Sequence, residues 1–462
     1  MSNNISLHTE QFKRFKQCLT GSLTQPEEKG YDKQRTPWLQ VVDQFPAIIV
    51  NAANTQDIVE TVRFVREMEV DLAVQNTGHG IALPCNGGVL LRLSEMKAIQ
   101  VNVADGTATV EPGVVAGELL KKAQPCGLAY ASGQVPNVGV IGYTLGGGVG
   151  WLGRKVGAAC HALQSATVVL ADGSVVTASA AENSDLFWAL RGGGGNFGVV
   201  TALTVKLVRL DKVFGGMAYY RMKEASEVIR FYREWTATLS DDTSTILRLM
   251  KLPPKPSFLL HLLTETCAIG VCHADEGTAS RLHDELKRFK APVLDQLEVR
   301  PYLDMGQFDE ASHLDGSPTY GRLESLKDLS DPVIDGLVGI AATRMPPLIM
   351  VELQHLGGVL SQEQAEETAY TAPAAPFFLH VVSPAMNNSL SELAVATKEA
   401  FDSLGPVYTG HVSYNFLRGD QQKRVPDAFG PDKYARLQSL KKKYDPSNLF
   451  RLNLNIPPTS LL

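Results

Sequence analysis

The sequence predicts an α+β protein with two domains that meet near residue 210. Residues 1–210 alternate short β-branched strands with amphipathic helices and contain three glycine-rich loops. From about residue 211 to residue 410 glycine becomes rarer, and longer strands alternate with helices. This change of character predicts a glycine-rich first domain and a second α+β domain, an antiparallel sheet flanked by helices. A chain of 462 residues is long enough for both.

The first elements form a strand–helix–strand unit. Residues 47–50 are a β-branched run, and Asn54 and Thr55 then offer N-caps for a helix over 57–68, where apolar residues recur at helical spacing. The next strand, 72–74, ends in the first glycine loop.

The later elements follow from the same signals. The turn at 104–106 contains Asp-Gly and predicts a hairpin. Strands are predicted at 90–93, 99–103, 107–110, 165–170, 174–178, 199–208, 259–263 and 350–355. Helices are predicted at 115–123, 185–190 with Ser184 as the cap, 226–235, 278–289 and 434–443. The lysines at 441–443 are typical of a solvated helix face.

The glycine loops are the strongest chemical signal. They lie at 76–80, 133–150 and 191–198. Glycine inside an element costs roughly 0.5–1 kcal/mol relative to alanine, so loops this rich in glycine indicate a backbone that approaches a ligand. Bare backbone N–H groups hold phosphate oxygens well, and three such loops predict a dinucleotide rather than a single phosphate. No helix is predicted directly after 146–148, which disfavours the nicotinamide-binding Rossmann pattern.

Composition limits the remaining classes. The net charge of −6 argues against a nucleic-acid partner. No apolar stretch approaches the roughly 20 residues that span a membrane, and the N-terminus lacks an apolar signal core, so we expect a cytoplasmic protein without a membrane partner. The six cysteines are scattered without a CxxC pair, which predicts free thiols and no metal site.

Five stretches in order resemble the berberine-bridge-enzyme-like flavoproteins of the vanillyl-alcohol-oxidase superfamily. They are 45–50, 77–80, 138–148, 186–200 and 444–450. The resemblance implies a two-part FAD-binding domain of the PCMH type. It consists of residues 1–210 and a returning C-terminal segment, 411–462, with a substrate domain at 211–410 inserted between them.

The resemblance implies FAD as the cofactor. The first loop would bind the pyrophosphate, the second would wrap the pyrophosphate and ribityl chain, and the strand after the third would lie by the adenine. Two asparagines of the tail would face the pyrimidine edge. The implied residues are Asn76, Thr77, Gly78, His79, Gly80, Val138, Gly139, Gly142, Tyr143, Gly146, Gly147, Gly148, Gly198, Val199, Val200, Asn453 and Asn455.

Three positions refine the expected flavin chemistry. His79 stands where the family links its flavin through the 8α methyl. Many members add a second link from a cysteine, but Val135 occupies that position here, so we expect a single link. Val138 borders the face where oxygen reacts, and a small valine there resembles the oxygen-reactive members.

The catalytic base is less clearly marked. Family members often place a tyrosine two residues before, or one residue after, the asparagine of a Y-x-N segment, but Ser413 and Phe416 occupy these positions here. Tyr414 is a candidate, although on a strand it would face away from Asn415. Glu352 is the other candidate, because an acid in an apolar strand needs a partner or takes a raised pKa. Further possible pocket residues are Tyr130, Tyr143, Arg248, His313 and Tyr320.

The expected function is an FAD-dependent oxidase that acts on a small organic alcohol or amine, with molecular oxygen as acceptor. The absence of a signal core and of the second flavin link favours a secondary metabolite as substrate. A carbohydrate oxidase of the same chemistry is one alternative, and a flavin-bearing binding protein that has lost its base is another. We expect a monomer or homodimer.

Overall fold

The structure is a computed structural model that describes residues 10–251, 265–308, 316, 318–343, 350–362, 367–385 and 389–459. It is a mixed α+β fold, as predicted, and it has three main sheets. The strand predicted at 259–263 lies outside the described residues.

A first sheet of four strands lies near the N-terminus. Its strands are β1 (Ser22–Thr24), β2 (Ile48–Asn51), β3 (Leu72–Gln75) and β4 (Val89–Arg92), in the spatial order β1-β2-β4-β3. The strands β2, β4 and β3 are parallel, and β1 pairs antiparallel with β2. The first glycine loop therefore starts at the carboxyl end of a parallel strand, a position where ligands often bind.

A second, antiparallel sheet follows the first. The strands that follow are β5 (Ile99–Asn102), β6 (Thr107–Val110), β7 (Leu128–Ala129), β8 (Leu163–Val169), β9 (Val175–Ser179), β10 (Val199–Lys206) and β11 (Val208–Arg209). The second sheet has the spatial order β5-β6-β10-β8-β9, and β7 and β11 form a small two-stranded sheet.

The third sheet, the large sheet, consists of β12 (Lys212–Arg221), β13 (Thr243–Lys251), β14 (Glu265–His273), β15 (Leu294–Asp295), β16 (Glu298–Pro301), β17 (Thr319–Leu326), β18 (Met350–His355) and β19 (Phe377–Pro384). All are paired antiparallel in the spatial order β15-β12-β14-β13-β18-β19-β17, with β16 also paired to β12. One face packs against helices through Leu247, Leu353 and Leu379. The other face packs against the glycine-rich part through Met217, Ile246 and Met250.

The helices of the described residues are α1 (Glu10–Cys18), α2 (Tyr31–Arg35), α3 (Thr55–Glu67), α4 (Ala116–Ala123), α5 (Val140–Leu145), α6 (Gly153–Val156), α7 (Ser184–Leu190), α8 (Ala225–Thr236), α9 (Ala279–Phe289), α10 (Asp331–Thr343), α11 (Leu390–Asp402) and α12 (Pro431–Tyr444). Asn54 caps α3 as predicted, since its side chain accepts a hydrogen bond from the Asp57 N–H. The predicted cap at Ser184 is wrong, because α7 begins at that residue and Asn183 precedes it in a left-handed conformation. No helix among these is long and apolar enough to cross a membrane.

Candidate active site

The three glycine loops converge on one region. A Cβ at Gly139 would lie 2.8 Å from the Asn76 Nδ2 atom, so the second loop passes closely over the first. The Gly192 N–H donates to the Leu145 carbonyl at 3.0 Å, which joins the third loop to the end of α5. The convergence expected from the sequence is therefore present in the fold.

The third glycine loop is also tied to the C-terminal segment. Asn196, fully buried, accepts a hydrogen bond from the Ile456 N–H at 2.9 Å and donates to the Leu454 carbonyl at 3.3 Å. The C-terminal segment thus returns to the glycine-rich part, although it lies about 260 residues further along the chain.

A buried lysine stabilises this junction. The Lys441 Nζ atom donates to Asp445 at 2.7 Å, to the Asn196 carbonyl at 2.7 Å and to the Phe450 carbonyl at 3.1 Å. Burial lowers the pKa of Lys441, and Asp445 opposes that shift. The prediction of a solvated face for the lysines at 441–443 is therefore wrong for Lys441, since its side chain is fully buried.

Protein side chains fill the space beside three glycines of the second glycine loop. A Cβ at Gly146 would overlap the Asn415 amide oxygen, while the Asn415 Nδ2 atom donates to the Tyr143 carbonyl at 2.9 Å. Gly147 lies against the Tyr370 ring and Gly148 against the Tyr143 ring. These glycines admit packed side chains on the side where a Cβ would lie, and their predicted contact with the cofactor stays a prediction.

His79 lies in the first loop beneath an aromatic ring. Its imidazole stacks on the Trp38 indole, with ring centroids 3.8 Å apart and planes 19° from parallel. Gly78 has a φ of +81°, and a Cβ there would lie 2.6 Å from the Pro37 Cβ atom. Trp38 N–H donates to the Thr77 carbonyl at 2.9 Å, so the 37–39 segment fixes the loop from outside.

The polar atoms around these loops fit FAD. Four residues predicted to bind the cofactor each have a buried polar atom with no hydrogen-bond partner among the described residues: Asn76 Nδ2, Tyr143 Oη, Asn453 Oδ1 and Asn455 Oδ1. Gly80 and Gly142 have no protein atom within 4 Å of where a Cβ would lie. Unpaired buried polar groups are costly, so a polar ligand that pairs them stabilises the site.

Gly198 and the valines near the predicted cofactor have two kinds of environment. Val138 and Val135 are half-buried in the second loop, and neither is a core side chain. Gly198 sits against β8, where a Cβ would lie 2.5 Å from a methyl carbon of Val168. Val199 and Val200 begin β10 and are buried, which leaves mainly their backbone to face a ligand.

A charged cluster lies on the sheet face toward the glycine loops. The Arg248 Nε atom donates to the Glu352 Oε2 atom at 2.6 Å, and its Nη2 atom donates to the Gln134 Oε1 atom at 2.6 Å. The Gln134 Nε2 atom reaches the Glu352 Oε1 atom at 3.4 Å. Because Gln134 belongs to the second glycine loop, this cluster joins the large sheet to the predicted cofactor region.

The position of Glu352 follows from strand register. It lies opposite Arg248 on β13 and opposite His380 on β19, so the three side chains form a row across three adjacent strands. Residues two positions apart along a strand lie on the same face of the sheet. Arg248 therefore shares its face with Ile246 and Met250, which pack against the glycine-rich part. The sequence singled out Glu352 and Arg248 separately but did not predict their pairing.

Tyr414 occupies a structural position. Its hydroxyl donates to the Leu454 carbonyl at 2.7 Å and accepts from Asn196 Nδ2 at 3.0 Å. Burial raises its pKa above the ordinary range of tyrosine. The segment Tyr414–Phe416 forms a 3-10 turn, so the strand geometry considered for Tyr414 is wrong.

The other candidate pocket residues differ in position. Tyr130 is fully buried, and its hydroxyl hydrogen-bonds to Thr144 at 2.7 Å beneath α5. Tyr320 lies on the outermost strand of the large sheet and donates to Asp420 at 2.9 Å. His313 lies outside the described residues.

Two known protein families match this chain, one in the glycine-rich part and one in the C-terminal segment. Residues 46–179 match the FAD binding domain family, and residues 414–457 match the family described as berberine and berberine like. The second match begins at Tyr414 and covers the segment that binds Asn196. The first ends with β9.

Similar proteins cover nearly the whole chain. An FAD-linked oxidoreductase of Dictyostelium discoideum is 28% identical over 91% of each chain. The (R)-6-hydroxynicotine oxidase of Paenarthrobacter nicotinovorans is 27% identical over 95% of this chain and 97% of its own. Among solved structures, 6-hydroxy-D-nicotine oxidase from Arthrobacter nicotinovorans superposes with a TM-score of 0.84 at 24% identity, covering 96% of this chain and 98% of its own. A chitooligosaccharide oxidase superposes with a TM-score of 0.81 at 22% identity, covering 96% and 100%.

Proposed function

Because this chain belongs to the berberine-bridge-enzyme-like FAD-linked oxidoreductases, we propose that it is an oxidase of a small organic alcohol or amine of secondary metabolism. Molecular oxygen is the acceptor, and hydrogen peroxide is the second product. FAD, when bound, supplies the hydride acceptor at N5 and passes the electrons to oxygen.

The cluster of Gln134, Arg248 and Glu352 carries this proposal. A buried carboxylate on the large sheet is hydrogen-bonded to a side chain of the second glycine loop. A proton acceptor beside the predicted flavin loop is the arrangement that the oxidation of an O–H or N–H substrate requires. The carboxylate belongs to a strand of the large sheet and Gln134 to the second glycine loop, and the fold brings them together.

In this proposal Glu352 takes the proton from the substrate O–H or N–H as the hydride leaves the adjacent carbon. Arg248 positions the carboxylate before the substrate arrives, because its guanidinium lies 2.6 Å away. Gln134 orients the second carboxylate oxygen. Tyr414 is the weaker candidate, because both of its hydrogen bonds are used to hold the C-terminal segment.

The cofactor is attached once in this proposal, through His79. The imidazole lies on a loop held by Gly78 and stacked on Trp38, so little freedom is lost when the bond forms. Val135 cannot form a second link. Val138 leaves room for oxygen, since it is half-buried in the same loop and bears only two methyl groups.

One similar protein is named for the oxidation of 6-hydroxynicotine, which is an amine, and this supports oxidation of an alcohol or amine. Structural neighbours that oxidise sugars keep a carbohydrate oxidase as the alternative. The carbohydrate-oxidase alternative would be favoured if glucose or a short oligosaccharide bleached the flavin faster than cyclic amines and alcohols did.

Two measurements test the proposal on the purified holoprotein. Anaerobic mixing with a panel of cyclic amines, phenolic alcohols and sugars is scored by loss of flavin absorbance. Stopped-flow mixing of the photoreduced protein with oxygen then measures reoxidation and peroxide release. Fast reoxidation with one peroxide per flavin is expected. Slow reoxidation together with no bleaching by any substrate class would instead identify a flavin-bearing binding protein.

A further inference from the structure

A cavity of about 290 Å³ lies at the outer edge of the large sheet. It is bounded by the 39–43 segment, the 81–84 segment that follows the His79 loop, and the 418–420 segment. Most of its wall is apolar, with contributions from Leu39, Val42, Ile81, Leu83 and Leu390. This size suits a small molecule with an apolar body.

Arg418 is the cation of this cavity. Its Nε atom is buried without a hydrogen-bond partner among the described residues, and its Nη1 atom makes only a 3.5 Å contact with the neighbouring Leu417 carbonyl. The chain holds the arginine in place, because Gly419 packs directly against the Ala82 carbonyl. Burial lowers the pKa of Arg418, and the nearby Tyr320 and Asp420 oppose that shift.

The nearby acids are already engaged. Asp420 accepts a hydrogen bond from the Tyr320 hydroxyl at 2.9 Å. Asp43 forms an ion pair with Arg35 on the other side of the cavity. Neither carboxylate forms an ion pair with Arg418 in the described part of the chain. Arg418 is half-buried, and its unpartnered Nε atom leaves it able to pair with a further acceptor. A carboxylate with its two oxygens would complement it.

We propose that this cavity is a binding site for a small organic carboxylate whose apolar body contacts Leu39, Ile81 and Leu83 and whose carboxylate pairs with Arg418. The site is separate from the Glu352 cluster. Two strand pairings, β18 with β19 and β19 with β17, lie between Glu352 and Tyr320. Tyr320 also shares its face of β17 with Leu326, which packs against the helices on the opposite side from Glu352.

Benzoate is the probe, and benzamide is its neutral counterpart of nearly equal shape. Isothermal titration of the holoprotein is expected to show one benzoate bound per chain and at least tenfold weaker binding of benzamide. Arg418→Gln should weaken benzoate at least tenfold. Lys423→Gln is the matched control, because it removes one exposed positive charge from the same segment, and it should leave the affinity unchanged.

A second variant keeps the test decisive if Arg418→Gln does not fold. Val42→Phe leaves the arginine in place but fills the cavity, so it should also weaken benzoate at least tenfold. The proposal is overturned if the wild-type protein shows no saturable benzoate binding, or if folded Arg418→Gln or Val42→Phe binds benzoate as tightly as the wild type. These outcomes do not depend on whether the proposed oxidation is correct, because the readout is binding.

Discussion

Arg248 and Glu352 form an ion pair at 2.6 Å whose side chains are only 4% and 7% exposed, although the residues are 104 positions apart in the chain. Removing either partner of a pair this buried would leave the other as an uncompensated buried charge. The carboxylate is therefore fixed in one orientation, with Arg248 on one oxygen and Gln134 on the other.

Replacing Glu352 by glutamine should slow flavin reduction by substrate about 10²–10⁴-fold, since the amide keeps the shape but cannot accept the proton. The measurement is anaerobic stopped-flow reduction across pH with the best substrate of the panel. Flavin content should not change. Tyr414→Phe is the comparison variant, and it should reduce the flavin within a few-fold of the wild-type rate. The assignment fails if Tyr414→Phe is the slow variant and Glu352→Gln is not.

His79→Ala should yield folded protein whose flavin appears in the supernatant after acid precipitation. The wild-type flavin should stay with the polypeptide, because the imidazole link survives acid. Absorbance of the two fractions at the flavin maximum gives the result. Free flavin from the wild-type protein would exclude the single covalent link.

Val138→Ile should slow reoxidation by oxygen more than it slows reduction by substrate. The added methylene occupies space beside the flavin, and Val138 is half-buried rather than packed in a core, so the fold should tolerate it. Both half-reactions are measured by stopped flow. Val175→Ile, at an exposed valine of β9, serves as control and should change neither rate. Equal reoxidation rates for wild type and Val138→Ile would remove this valine from the oxygen path.

His355→Gln should make the protein less sensitive to acid. Burial, with Arg154 nearby, lowers the pKa of His355 from 6.5 to about 3. Between these values the unfolded chain binds a proton that the folded chain does not, so stability falls as the pH falls through this window. Glutamine still offers an acceptor to Arg154, which contacts the His355 Nε2 atom at 3.2 Å.

Urea unfolding at several pH values between 6.5 and 4 measures this effect. One such group contributes at most about 1.4 kcal/mol per pH unit to the slope of the unfolding free energy. The variant should have the shallower slope. An identical slope would show that His355 takes up its proton in the folded state.

Lys441→Met should destabilise the protein by about 3–5 kcal/mol, because it leaves the fully buried Asp445 without its cation. Lys442→Met, at the exposed neighbouring position, should change stability by less than about 0.5 kcal/mol. Urea unfolding of both variants makes the comparison. Equal stabilities would mean that Asp445 is satisfied by the Leu449 and Phe450 N–H groups alone.

The sequence predicted those helices and strands that are marked by capping residues or by a run of apolar residues. The helix capped by Asn54 and the strands at 72–74 and 350–355 lie where expected, to within a few residues. The strand Lys212–Arg221 was not predicted, because it is buried on both faces and contains two glycines, so it lacks alternation.

The site was harder to predict where it depends on distant partners. The position of His79 between two glycines is legible in the sequence. The pairing of Arg248 with Glu352 depends on strand register between β13 and β18, which no local pattern encodes. Lys441 resembles its solvated neighbours 442 and 443 until the fold places Asn196 and Asp445 against it.

The bonds around Asn196 also impose an order of events on synthesis. This side chain takes its partners from Leu454 and Ile456, which leave the ribosome only after about 260 further residues have been added. Until then the third glycine loop lacks the hydrogen bonds that join it to the C-terminal segment. A nascent chain can form its first sheet early, but we expect it to become competent to capture FAD only when those last contacts have been made.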